Sequence, residues 1–247
     1  MKMMKRMMVS GVAVLALAAC NSATNNATAA VASPVTAVAP PAGSEWALVV
    51  SETSEGGMRM GNPAAPIKIV EYGSLTCPAC AAFSIQGTEP LKTKYIATGK
   101  VSWEYRSLLL HAPDLMATLA YKCGGPAPFF ALVDASYVDM QNWLGKLASL
   151  PPAEQQRLQS LPLAAQNTEY ARLSGRDEFV IQRGIARDAL AQCLADPRKI
   201  EALDKVRKDA FEKYNVPGTP TFFINDAVVP NVSSWTDLEP QLRAAGA

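Results

Sequence analysis

The chain has 247 residues, of which 49% are apolar and 18% charged, and its formal net charge is +1. These values fit one globular domain of ordinary size, with or without an insertion, and show no basic excess of the kind that nucleic-acid binding requires. The single histidine, His111, excludes a histidine-rich metal site and would have to be the base of any cysteine–histidine hydrolase. We therefore expect no nucleic-acid partner.

Residues 1–19 have the pattern of a secretory signal peptide: a basic start, then the apolar run Met7–Ala19, which is too short to span a membrane. The run ends in Leu17-Ala18-Ala19-Cys20, which resembles the bacterial lipobox, where the cysteine becomes the lipid-modified N-terminus. The alternative is an ordinary signal cut nearby, with Cys20 lost or left free. We expect lipidation. The mature chain would keep 20 basic and 22 acidic residues, a net charge of −2.

Residues 20–44 are predicted to be the lipidated cysteine and a flexible tether, because positions 21–43 contain no charged or aromatic residue. A coil of that length reaches roughly 25 Å, at about 5–6 Å times the square root of the residue number. We expect a periplasmic domain that is anchored to a membrane by acyl chains.

The folded part is predicted to begin near Trp46 and to alternate strands with a helix up to residue 111. The predicted elements are a strand at Ala47–Ser51, turns at Gly56-Gly57 and Gly61-Asn62-Pro63, a buried strand at Ile67–Tyr72, a helix from Pro78 to about Ala97 that is bent or broken at Gly87 and Pro90, and a strand at Val101–Leu109.

Residues 112–215 change to helical periodicity, with apolar stripes that include Cys123 and Cys193. Strand character returns at Thr219–Ile224 and Ala227–Val229, and a last helix is predicted to start near Ser234 or Thr236. Asn225-Asp226 replaces the Asn-Gly that a tight hairpin favours, which predicts a longer loop there.

The segment Thr76-Cys77-Pro78-Ala79-Cys80 stands between the buried strand and the helix. Two cysteines at this spacing suit thiol–disulfide exchange, because the N–H groups and positive dipole of the helix N-terminus favour a thiolate on the first sulfur. Pro78 suits the first helical turn, where a missing N–H costs nothing. The same spacing is half of a zinc site, but Cys123 and Cys193 are isolated and form no second half. We expect no metal and no cofactor.

Downstream, Val216-Pro217-Gly218-Thr219-Pro220-Thr221-Phe222-Phe223-Ile224-Asn225 opens a strand with a proline, which a central strand rarely accepts. Together with the Cys77–Cys80 motif this segment resembles the thioredoxin superfamily, in which a cis-proline packs against the redox pair. The long helical insert resembles the DsbA-like branch. The resemblance implies an α/β thioredoxin fold formed by residues 45–111 and 216–247, with an inserted helical domain at 112–215.

The resemblance also implies a role for each site residue. Cys77 would be the nucleophile, and Cys80 the less exposed resolving thiol. Glu71 would be a buried carboxylate that exchanges a proton with Cys80, unless it is a surface residue at the strand end. Thr219 and Pro220 would offer backbone groups to an extended substrate segment, unless Pro220 is merely an edge-strand proline.

One position departs from the family pattern. DsbA carries a histidine in the last position between the cysteines, whereas this chain has Ala79. The helix dipole remains, so we expect a lowered Cys77 pKa that is less depressed than that of DsbA, and a disulfide that is less strongly oxidising.

Cys123 and Cys193 remain after the other three cysteines are assigned. In an oxidising compartment they are predicted to form a structural disulfide that closes a loop of about 70 residues. The alternative is two free cysteines that pack as small hydrophobic residues. His111 is predicted to be a loop or packing residue. Four aromatic residues of the insert are assigned to its core and rim, or to a substrate groove: Phe129, Phe130, Tyr137 and Trp143.

Three functions are compatible with the sequence. The first is a membrane-tethered periplasmic oxidase that introduces disulfides into unfolded or partly folded secreted proteins and is recycled by a membrane redox partner. The second is a reductase or isomerase that uses the same pair, and is ranked lower because the tether has no dimerising heptad pattern, which favours a monomer. The third is a peptide-binding chaperone without redox turnover.

Overall fold

The computed structural model describes residues 35–247, which belong to one compact unit. The predicted signal peptide, Cys20 and most of the predicted tether lie outside the described residues. The described part contains a six-stranded mixed sheet in the order β1-β2-β4-β3-β5-β6. Its strands are β1 Val50–Glu52, β2 Met58–Gly61, β3 Ile67–Gly73, β4 Val101–Ser107, β5 Thr221–Ile224 and β6 Ala227–Val229.

Strand β3 lies at the centre of the sheet, parallel to β4 on one side and antiparallel to β5 on the other. Both central strands, β3 and β4, are almost entirely buried, as the near-continuous apolar run of β3 predicts. Register aligns Glu71 of β3 with Tyr105 of β4 and Phe222 of β5. Because paired residues point to the same face of a sheet, these three side chains lie together.

The described residues form ten α-helices. They are α1 Pro78–Pro90, α2 Ala112–Lys122, α3 Pro126–Val138, α4 Met140–Ala148, α5 Pro152–Ser160, α6 Leu163–Ser174, α7 Arg176–Ile181, α8 Arg187–Ala195, α9 Pro197–Glu212 and α10 Trp235–Ala244. Helices α2–α9 lie between β4 and β5 in the chain, which is where a helical insert was predicted. None of the helices in residues 35–247 is both long and apolar enough to cross a bilayer.

The helix that follows Cys77 changes its geometry at Pro90. Helix α1 ends there, a π-helical turn covers Leu91–Tyr95, and a 3₁₀ turn follows to Thr98. Proline cannot donate to an α-helical ladder, so the predicted break at this residue is confirmed. At Gly87 the helix continues without a break, and a Cβ there would make a tight contact, 3.1 Å from Trp235 of α10.

Two local predictions differ from the structure, and one strand was not predicted. The first predicted strand is a 3₁₀ turn at Trp46–Leu48 followed by β1, and the Trp46 indole N–H donates to the Val38 carbonyl oxygen at 2.7 Å. The sequence analysis missed β2, a strand of four residues between two turns. The prediction of a longer hairpin loop was wrong, because Asn225 and Asp226 form a two-residue loop in which both φ values are positive. Asparagine and aspartate tolerate this left-handed region, so glycine is not required.

The core joins the insert to the sheet. Phe130 of α3 packs against Trp103 of β4 with ring centroids 4.7 Å apart, and Phe129 packs against Tyr105. All four aromatic residues singled out in the insert are buried, so they form core and do not line a substrate groove; they are Phe129, Phe130, Tyr137 and Trp143. The other face of the sheet packs Tyr72 and Phe223 against Ala210 of α9.

Candidate active site

Cys77 is the N-cap residue of α1, and its extended backbone turns the chain from the β3 edge into the helix. Pro78 occupies the first helical position. The Cys80 backbone N–H points to the Cys77 sulfur at 3.5 Å, so the sulfur occupies the place of a capping oxygen. Cys77 is half-buried, whereas Cys80 has no exposed surface, and both are free thiols in this structure.

The two sulfurs differ sharply in acidity. A hydrogen bond with the Cys80 thiol, supported by the backbone N–H groups of Ala79 and Cys80, lowers the pKa of Cys77 to about 5 although partial burial opposes the shift. Burial raises the pKa of Cys80 far above its ordinary value. At neutral pH the half-buried Cys77 is therefore a thiolate, and the buried Cys80 is a thiol.

Thr219 and Pro220 lie opposite the first cysteine. The Thr219–Pro220 peptide bond is cis, and Pro220 is buried immediately before β5. The Thr219 carbonyl oxygen lies 3.3 Å from the Cys77 sulfur and accepts a hydrogen bond from it when the thiol is protonated. The structure thus brings Cys77, Cys80, Thr219 and Pro220 together.

Glu71 lies beneath the pair, in the middle of β3. It is 1% exposed, which is incompatible with the alternative of a surface carboxylate at the strand end. Its Oε2 accepts a hydrogen bond from the Trp103 indole N–H at 3.1 Å. Burial raises the pKa of Glu71 to about 8, and its charge also contributes to the raised pKa of Cys80. A carboxyl group with this pKa can both accept and release a proton near neutral pH.

Two tyrosines complete the floor of the site. The Tyr105 and Tyr137 hydroxyl groups are 2.8 Å apart, and Tyr137 donates to the Ser74 carbonyl oxygen at 3.0 Å. Because a carbonyl only accepts, Tyr105 is the donor between the two hydroxyls. The Tyr105 ring crosses Gly73, where a Cβ would lie 2.5 Å from a ring carbon. Burial raises the pKa of both tyrosines well above their ordinary value.

The sequence analysis missed one residue next to the motif, Asp114. This buried carboxylate lies in the first turn of α2 and contacts Ser74 and Thr76, immediately before Cys77. An acid three residues after a helix N-cap is a recognisable capping pattern, which was the available signal. His111 is that N-cap residue; its ring is 67% exposed, and its Nδ1 lies 2.9 Å from the Thr76 hydroxyl oxygen.

The remaining cysteines lie away from this cluster. Cys123 at the end of α2 and Cys193 in α8 are joined by a disulfide, with Cα atoms 6.0 Å apart. In the described part of the chain, no group of three or more cysteine, histidine or acidic residues is arranged to hold a metal ion. Neither finding adds a group to the redox site.

The family model for thioredoxin matches residues 53–244, which is most of the chain. The chain belongs to the thioredoxin family. The predicted α/β thioredoxin fold with a helical insert is confirmed.

Several thioredoxin-family relatives are similar over most of this chain. A crystal structure of protein-disulfide isomerase from Novosphingobium aromaticivorans is 32% identical, with a TM-score of 0.72, and covers 75% of this chain and 95% of that one. The alpha-DsbA1 structure from Wolbachia pipientis has the same fold, with a TM-score of 0.61 at 21% identity, over 79% of this chain and 94% of that one. A provisionally named protein-disulfide oxidoreductase of Rickettsia bellii is 27% identical over 75% of this chain and 63% of its own. The chain thus spans about six tenths of the length of the first curated relatives it matches.

Proposed function

We propose that this protein exchanges disulfides in secreted proteins through the Cys77–Cys80 pair, as an extracytoplasmic thiol oxidase. The observation that carries the proposal is that a half-exposed Cys77 at the N-cap of α1 and a fully buried Cys80 share one helical turn. Stabilising the Cys77 thiolate stabilises the reduced enzyme, which makes its disulfide the better oxidant.

Each step of oxidation uses one of the placed residues. A substrate thiolate attacks the Cys77 sulfur of the oxidised enzyme, the Cys77–Cys80 bond breaks, and Cys80 leaves as a thiolate that takes up a proton. Glu71 is the group placed to supply that proton, because its pKa lies near 8. A second substrate thiolate then attacks the substrate sulfur of the mixed disulfide and releases Cys77 as a thiolate. The substrate loses two electrons and the enzyme gains them.

Thr219 and Pro220 are proposed to hold the substrate segment. Thr219 is half-buried directly beside the attacked sulfur, where its backbone can pair with an extended chain as a neighbouring strand would. The test of the whole proposal is to replace Cys80 by Ala and isolate proteins that become disulfide-linked to Cys77. The matched control is Cys77→Ser in the same background, which cannot form such links.

The wild-type reduction potential gives the direction of the reaction. We expect a value above that of thioredoxin, about −270 mV, and within the range of oxidising family members. A potential as low as thioredoxin's would favour a reductase. Failure to trap any partner would favour a peptide-binding chaperone.

Isomerase activity is the second candidate, because the Novosphingobium relative carries that name and a Cys77 thiolate can attack a wrong disulfide. A scrambled substrate with four or more cysteines separates the two activities. An isomerase restores native pairing when supplied reduced and without an oxidant, whereas an oxidase requires the disulfide form.

We further propose that the domain is lipid-anchored through Cys20 by the tether at 20–44, and is recycled by a membrane redox partner. The lipobox-like sequence supports anchoring. Incorporation of labelled fatty acid into the wild type and its absence in Cys20→Ser would support the anchor, while equal labelling or none in both would contradict it.

A further inference from the structure

Asp114 is the most heavily hydrogen-bonded carboxylate beside the redox motif, and nothing in the proposed reaction uses it. It is 1% exposed and lies in the first turn of α2. Five groups donate to it at 2.9–3.0 Å: the Ser74 and Thr76 hydroxyls and the backbone N–H groups of Thr76, Leu110 and His111.

These donors come from two separate segments of the chain. Ser74 and Thr76 belong to the turn between β3 and Cys77, whereas Leu110 and His111 precede α2 of the helical insert. A single carboxylate therefore fastens the turn before Cys77 to the insert. The two carboxylate oxygens offer about four acceptor sites, and the five donors fill them. The carboxylate can therefore be buried without leaving an acceptor unsatisfied.

The negative charge of Asp114 does not stabilise the Cys77 thiolate. A negative group near Cys77 disfavours a thiolate, so its electrostatic effect opposes the low pKa of that residue. The His111 ring does not form a close pair with it, because its Nδ1 lies 3.9 Å from Asp114 Oδ2 and contacts the Thr76 hydroxyl instead. The Asp114 carboxylate instead fixes the position of the turn before Cys77.

We propose that Asp114 is a positioning residue for thiol–disulfide exchange. By holding both the N–H and the hydroxyl of Thr76, it keeps the next residue, Cys77, at the N-cap of α1, where the helix N–H groups reach its sulfur. This inference rests on the proposed function for its biological purpose, but the geometry can be tested on the thiolate alone.

The experiment titrates the Cys77 thiolate by its ultraviolet absorbance in the full domain, with Asp114→Ala and Asp114→Asn beside the wild type. We expect Asp114→Ala to raise the measured Cys77 pKa by about one unit, a tenfold gain in proton affinity. Asp114→Asn should raise it less, because the amide oxygen still accepts from the Thr76 N–H. The equilibrium with glutathione should shift towards a more reducing pair in the same order.

The sign of the change separates three roles. If Asp114 acted only as a charge, both variants would lower the Cys77 pKa. If it only supported the fold, thermal stability would fall while the Cys77 pKa stayed constant. Either result overturns the proposal.

Two further variants keep the test decisive. Asp139→Asn is the matched control, because Asp139 pairs with Arg176 inside the insert and has no hydrogen bond to residues 74–77. It should leave the Cys77 pKa unchanged. If Asp114→Ala does not fold, Thr76→Val removes the hydroxyl that binds Asp114 and should raise the pKa by a smaller amount; no change there would refute the proposal. If the wild type showed no disulfide exchange, the proposed function would be wrong, but the titration would still test the position of Cys77.

Discussion

The two cysteine pairs of the described domain occupy opposite ends of their helices. Cys77 is the N-cap of α1, where helix N–H groups point at its sulfur, whereas Cys123 is the C-cap of α2, where carbonyl groups point outwards. A helix N-terminus favours a thiolate and a C-terminus disfavours one. The helix N-terminus therefore supports a thiolate at Cys77, whereas Cys123 and Cys193 are joined in a disulfide and have no free thiol.

The spacing of the pairs adds a second difference. Cys77 and Cys80 share one helical turn, so their bond closes almost no loop and can open at little cost to the fold. Cys123 and Cys193 are separated by 70 positions and join α2 to α8. We therefore propose that the first pair exchanges disulfides and that the second restricts the unfolded chain.

The largest expected effect comes from removing the reactive sulfur. Cys77→Ser should reduce oxidation of a dithiol peptide to the uncatalysed rate, because a serine hydroxyl cannot form the mixed disulfide. Cys123→Ser with Cys193→Ser should retain the wild-type rate at 25 °C. Peptide oxidation followed by fluorescence compares the two; equal losses would remove the distinction between the pairs.

The second effect is on stability. Replacing both Cys123 and Cys193 by Ala should lower the free energy of unfolding by roughly 4 kcal/mol, the chain-entropy value for a loop of this length. Urea denaturation without reductant measures it, and the wild type with added reductant is the control. A loss below about 1 kcal/mol would show that the bond does not restrict the unfolded chain.

The third prediction concerns the buried side of the redox pair. Because burial raises the pKa of Glu71 from 4.5 to about 8, its stabilising protonated state is complete below pH 4.5 and is lost as the pH rises towards 8. Glu71→Gln cannot ionise, so it should exceed the wild type by on the order of 3 kcal/mol at pH 7 and match it near pH 4. Urea denaturation at the two pH values tests this, and a pH-independent difference would contradict it. Resolution of mixed disulfides should become slower.

The smallest expected effect is a further lowering of the Cys77 pKa, which would increase the difference between the two cysteine pairs. Ala79→His restores the residue that DsbA carries and should lower the Cys77 pKa from about 5 towards about 3.5. The reduction potential should rise by roughly 30–45 mV, at about 30 mV for each 1.4 kcal/mol. Ala79→Gln is the uncharged control. An equal shift in both variants would exclude the imidazole as the cause.

The parts of the fold that follow from local chemistry were predictable from the sequence. The apolar run of β3, the proline that ends α1 and the terminal helix each depend on residues close in the chain. The strand β2 was missed because four residues between two turns carry too little periodicity. The hairpin at Asn225-Asp226 was wrong because two residue types that tolerate positive φ were treated as poor substitutes for glycine.

The site was predictable to the extent that its motifs are local. Cys77, Cys80 and Pro220 were found from two short segments, and the resemblance pointed to Glu71. Asp114 was not found, because its partners at Ser74 and Thr76 lie about 40 positions away and only the fold brings them together. Likewise, the sequence marks Tyr105 and Tyr137 only as core residues, and the hydrogen bond between their hydroxyl groups is visible only in the fold.

The outer strands of the sheet are both only three residues long. Strand β6 is followed directly by Pro230, which cannot donate to a further strand. Short edges that end in proline are poor templates for pairing with another chain. Both edges of the sheet therefore disfavour strand addition and aggregation, and we propose that an extended substrate segment pairs instead with the backbone beside Thr219 and Pro220.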